Sequence, residues 1–127
     1  MPKQLLLLWA IICTGIITYL CLTDSGNIPA VSFPSIDKIV HFCFHFGFTI
    51  SWIVFFKKEL KGKTTDDFKA YLISFIFSVF FGITIEILQG VFTKTRAADV
   101  ADILGNAIGA TAAVFTAIAF KKQIDKI

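Results

Sequence analysis

The chain has 127 residues, 56% of them hydrophobic and 17% charged, with a formal net charge of +3 and a mean hydropathy of +0.77. Soluble domains carry about 45–50% apolar and about 25% charged residues, and so few polar side chains cannot cover a small apolar domain in water. Composition therefore excludes an ordinary soluble domain, and the length allows one membrane domain spanning 1–127.

The first apolar stretch, Gln4–Leu22, has no formally charged residue. Crossing the roughly 30 Å of hydrocarbon takes about 20 helical residues at about 1.5 Å each. A helix also pairs its backbone polar groups within its own segment, as lipid demands. The stretch is longer than the 7–15 residues usual in a signal peptide, and no A-x-A-like site follows, so a retained helix is expected. Gly26, Pro29 and Pro34 then break the chain across Thr23–Ile36. A second helix is predicted over 37–56, its Ile39–Phe56 stretch free of charge. A hydrophilic loop follows at Lys57–Lys69. The third span, Ala70–Phe92, contains Glu86 as its one charged residue, and Thr93–Ala101 carries Lys94, Arg96 and Asp99. The last helix is predicted over 102–120. No span shows the alternation of a membrane strand. The expected fold is an all-α membrane protein, a four-transmembrane-helix bundle. Cys13, Cys21 and Cys43 fall inside spans and read as buried small hydrophobes rather than a disulfide framework.

Lysine and arginine asymmetry sets the expected orientation. Lys3, Lys57, Lys58, Lys61, Lys63, Lys69, Lys121, Lys122 and Lys126 share one side, nine against the three of Lys38, Lys94 and Arg96. Both termini and the middle loop are therefore expected in the cytoplasm.

On this topology the scarce polar residues gather near the outer surface. Asp37, His41, His45 and Thr49 recur every four residues and stack along one helix face. Ser74, Ser78, Gly82, Glu86 and Gly90 form a similar stripe on the third span, with Gln89 beside it. Asn106 lies one turn from Asp102 on the fourth. A buried ionisable group costs about 2.5–3.5 kcal/mol on insertion scales, so these groups are expected to turn inward and share partners, leaving the phenylalanines to lipid. Gly105, Gly109, Ala113 and Ala117 make a small-residue face for helix packing, and such faces are also where a homo-oligomer would form.

The sequence Asp37-Lys38-Ile39-Val40-His41-Phe42 resembles the D-K-x-x-H-F of the VanZ-like family of small bacterial membrane proteins. Glu86, Gln89, Arg96, Asp102, Asn106 and Gly109 resemble its E-x-x-Q, R and D-x-x-x-N-x-x-G, with Asp99 between them. The position of His45 is more often aromatic in that family. The resemblance implies a link to low-level resistance to glycopeptide antibiotics of the teicoplanin type, and it supplies no reaction.

The residues themselves support an outward-facing pocket for an anionic amphiphile, such as a membrane lipid or a lipid-linked envelope precursor, and the resemblance implies that the membrane is the bacterial cytoplasmic one. His41 and Glu86 are the candidate acid/base pair. Lys38 and Arg96 would attract phosphate or carboxylate, and Asp37, Gln89, Asp99, Asp102 and Asn106 would complete the ligand-binding shell. No cofactor is expected. A metal set of His41, His45 and Glu86 is the alternative reading of the i,i+4 histidines. Two further readings stand beside the pocket: a non-enzymatic carrier, flippase-like protein or scaffold subunit, and an inert polar network that fixes helix register. No aromatic-basic motif points to nucleic acid.

Overall fold

The computed structural model describes residues 1–22, 36–63, 67–92 and 100–127, the side chains of Ile36 and Asp37 excepted. Its helices are α1 (Lys3–Leu22), α2 (Ile36–Leu60), α3 (Phe68–Phe92), α4 (Val100–Ala119) and the short α5 (Lys121–Asp125). The first four are each long and apolar enough to cross a membrane. Among the described residues the fold is thus all-helical, and the chain is a multi-pass membrane protein.

The main boundary correction concerns α2, which runs to Leu60 rather than stopping at 56. Lys57 and Lys58 mark where the apolar stretch ends, but Lys, Glu and Leu are good helix formers and the helix continues through them. It stops before Gly62, which takes φ +83°, a left-handed conformation that suits glycine after a helix end. Likewise α3 begins at Phe68, and Lys121–Asp125 forms α5 where the sequence suggested only a polar tail.

The centre of the bundle is α2, which contacts α1, α3 and α4. Close approach to α4 depends on Gly109. A Cβ there would collide with the carbonyl oxygen of Phe42 and lie 3.1 Å from its carbon. Ala110, Ala113 and Ala117 are fully buried on α4, so this small-residue face is taken up within the chain.

Toward the basic end of the bundle, aromatic rings fill the interior. Phe48 stacks on Phe81 with centroids 4.5 Å apart, and Trp52 meets Phe77 edge-on at 4.9 Å. Trp52 Nε1 donates to Thr14 Oγ1 at 3.2 Å, tying α2 to α1. Phenylalanine is therefore divided: Phe48 and Phe55 are core, while Phe80, Phe92 and Phe115 point outward. Lipid gives helices little hydrophobic reason to associate, so tight van der Waals packing of rings inside the bundle has to supply attraction. Cys21 is buried, but Cys43 is exposed on the bundle surface.

At the basic end Lys57 Nζ pairs with Asp125 at 2.7 Å and Asp67 at 3.5 Å, and Lys121 pairs with the same two carboxylates. This network clamps α5 to the end of α2 and the start of α3. Lys3 reaches Glu59 at 2.9 Å, adding α1 to the same end.

Candidate functional site

Near the opposite end of the bundle, polar groups form two tiers, one helical turn apart. Each of α2, α3 and α4 contributes to both, because each steps by four residues: His41 to His45, Glu86 to Gly82, and Asp102 to Asn106.

His41, Glu86 and Asp102 make up the tier nearer the helix ends. All three are buried, and one ligand-type atom from each lies within 4.8 Å of the others. His41 Nε2 is 3.4 Å from Glu86 Oε1. Such a pair can hold or pass one proton between imidazole and carboxylate. Isolated burial of Glu86 would be costly, and the His41 imidazole beside it offsets part of that cost.

His45, Gly82 and Asn106 form the deeper tier. His45 Nδ1 lies 3.0 Å from Ser78 Oγ, and its ring packs beside Phe48 and Phe81. A Cβ at Gly82 would lie 2.8 Å from Asn106 Nδ2 and 3.1 Å from His45 Cε1. Glycine here leaves the room that both side chains occupy. Among the described residues, His45 Nε2 and both Asn106 side-chain polar atoms have no hydrogen-bond partner. The two histidines therefore lie in different tiers, and it is Asp102, not His45, that joins His41 and Glu86.

Gln89, buried three residues beyond Glu86 on α3, also reaches α1. Its Nε2 donates to the Cys21 carbonyl at 2.7 Å. That carbonyl belongs to the last turn of α1, where backbone acceptors lack intrahelical partners. Gln89 thus caps α1, a role that the E-x-x-Q spacing does not disclose. Lys38 is exposed, and its backbone carbonyl lies beside Gly105 of α4. The side chain of Asp37, and all of Arg96 and Asp99, lie outside the described residues.

Sequence reasoning missed Ser78 as the partner of His45 and Gly82 as the space for Asn106. Both lie on the four-residue stripe of α3, which was the available signal. A cavity of about 490 Å³ opens at the basic end, with Lys57, Lys58, Lys61, Lys121, Asp67 and Asp125 in its walls. It is remote from the two tiers, and its charges are largely paired with one another. The buried polar tiers are the better candidate site, because they hold ionisable groups where lipid makes these costly.

No curated protein and no solved structure matches the chain significantly. A family model described as VanZ/LLP1 matches residues 5–121, which include both polar tiers and all four long helices but for the first residues of α1. The chain belongs to the VanZ/LLP1 family.

Proposed function

We propose that this VanZ-like protein acts as one domain in the bacterial cytoplasmic membrane, with both termini cytoplasmic, and handles an anionic envelope amphiphile at its outer end. The observation that carries this reading is the convergence of buried His41, Glu86 and Asp102 from three helices within 4.8 Å. Intramembrane ionisable groups are functional by default because they are expensive to insert. The nine-to-three distribution of basic residues supports the orientation. His41 and Glu86 are the acid/base candidates if the ligand is modified, and Lys38 and Arg96 supply positive charge for a phosphate or carboxylate. A contribution to glycopeptide resistance of the teicoplanin type is the cellular outcome that family membership suggests.

The competing reading, a carrier or scaffold, draws support from polar groups deeper in the bundle: the His45–Ser78 pair, Thr49 and Ser74. Against a continuous path, the stacked Phe48 and Phe81 rings occupy the interior at neighbouring positions.

The test compares Glu86→Gln, His41→Ala and Arg96→Ala in cells, scoring glycopeptide susceptibility at matched expression. Loss in all three supports the site, and wild-type behaviour in all three refutes it. Incubating purified protein with envelope lipids separates the chemistries: new covalent products by mass spectrometry indicate an enzyme, and redistribution between leaflets alone indicates a carrier.

A further inference from the structure

We propose that His41, Glu86 and Asp102 bind a divalent first-row cation of the zinc type. They contribute one imidazole nitrogen and two carboxylate oxygens, from α2, α3 and α4, all within 4.8 Å of one another. A tetrahedral ion with bonds of about 2.0–2.1 Å sets its ligand atoms roughly 3.3 Å apart. His41 Nε2 and Glu86 Oε1, at 3.4 Å, already have that separation. Asp102 completes the set with a carboxylate movement of about 1.5 Å at most, within reach of rotation about its side-chain bonds.

The chemistry of the donors gives a second reason. One nitrogen and two carboxylate donors suit a borderline cation, and three protein ligands leave a fourth coordination position open. One turn deeper, Asn106 is 2% exposed, with Oδ1 and Nδ2 both unbonded among the described residues. Metal sites draw on such neighbouring donors and acceptors to orient ligands and water. His45 is not part of the set, since its Nδ1 is engaged with Ser78 and its ring is packed against Phe81.

The inference uses the cluster of the proposed function and rests on that reading only for the ligand. A bound dication would offer a phosphate or carboxylate an open coordination position on a positively charged ion. With the ion bound, His41 and Glu86 serve as ligands rather than as a free acid/base pair.

The full chain, purified in detergent and stripped with a chelator, is titrated with Co²⁺ and then Zn²⁺. Visible absorption and elemental analysis are the readouts. One equivalent of Co²⁺ with tetrahedral absorption bands, displaced by Zn²⁺, is expected. His41→Ala, Glu86→Gln and Asp102→Asn should each weaken uptake at least about tenfold, since even loss of a neighbouring support costs 10–100-fold. Cys43→Ser, exposed on the bundle surface, should leave uptake unchanged. Folded wild-type protein that takes up neither ion overturns the proposal, and this holds even where a variant fails to fold. Uptake unaltered by Asp102→Asn overturns it equally. Ion binding without a cellular phenotype in the triad variants refutes the amphiphile reading alone. A phenotype without ion uptake refutes the metal site alone.

Discussion

Replacing Gly109 by alanine adds one methyl group at the closest approach of α2 and α4. That methyl would overlap the Phe42 carbonyl oxygen and lie 3.1 Å and 3.2 Å from the Phe42 carbon and Cα. Carbon atoms prefer about 3.5–4.0 Å. The obstructing atoms are backbone, so no rotamer change relieves the contact and the helices must separate by on the order of 1 Å. Overpacking of this kind costs about 1–3 kcal/mol, and one or two kcal/mol already shifts a folding equilibrium by a factor of about 5–30. Gly105→Ala, one turn away on the same helix, is the control. Its Cβ would sit 3.5 Å from the Lys38 carbonyl oxygen, an ordinary contact, and alanine gains about 0.5–1 kcal/mol over glycine inside a helix. The two variants should therefore differ in sign. Denaturant titration in detergent, with size-exclusion recovery after heating, measures both. Equal stability of the two variants would refute the close-approach argument. Because Phe42 follows His41 in α2, Gly109→Ala should also weaken whatever the triad binds.

Gly82→Ala should push Asn106 and His45 aside and destabilise by about 1–3 kcal/mol, at the lower end where the amide can swing away. Chemical shifts of the His45 ring would report the displacement, and unchanged shifts would count against it. Gln89→Leu removes the cap on the Cys21 carbonyl and should cost about 0.6–2 kcal/mol, the range for hydrogen bonds within membranes. Faster amide exchange at the end of α1, with the triad intact, is its signature. The Asp125 carboxyl is lowered from 3.8 to about 2, first by hydrogen bonding to Lys121 and then to Lys57. A depressed carboxylate stabilises the fold above its unfolded pKa, and the contribution disappears as pH falls through the folded value. The stability difference between wild type and Asp125→Asn should therefore be level above about pH 5 and fall progressively between about pH 5 and pH 1. A difference that keeps its full size down to about pH 2 would show that Asp125 acts through something other than its charge.

Four spans could be read from the sequence because hydrocarbon thickness imposes one length on every crossing helix, and few charged residues are tolerated between the ends. The polar stripes could be read for a similar reason: four-residue spacing on a helix is a statement about one face. Helix ends were less legible, as α2 shows, since its lysines leave the apolar region without leaving the helix. Which stripes would meet was beyond the sequence. Periodicity places His41 and His45 on one face equally well, and the tertiary structure separates them by giving His45 to Ser78 and His41 to Glu86 and Asp102. The same holds for Gln89, whose partner lies 68 residues away on α1. Composition by itself determined that the chain lives in a membrane and that its few ionisable residues had to cluster. Only the packing of α4 against α2, permitted by a missing side chain at Gly109, decided which of them share a site. Helix register relative to a neighbour depends on the shapes of both surfaces, and no single strip of sequence contains both.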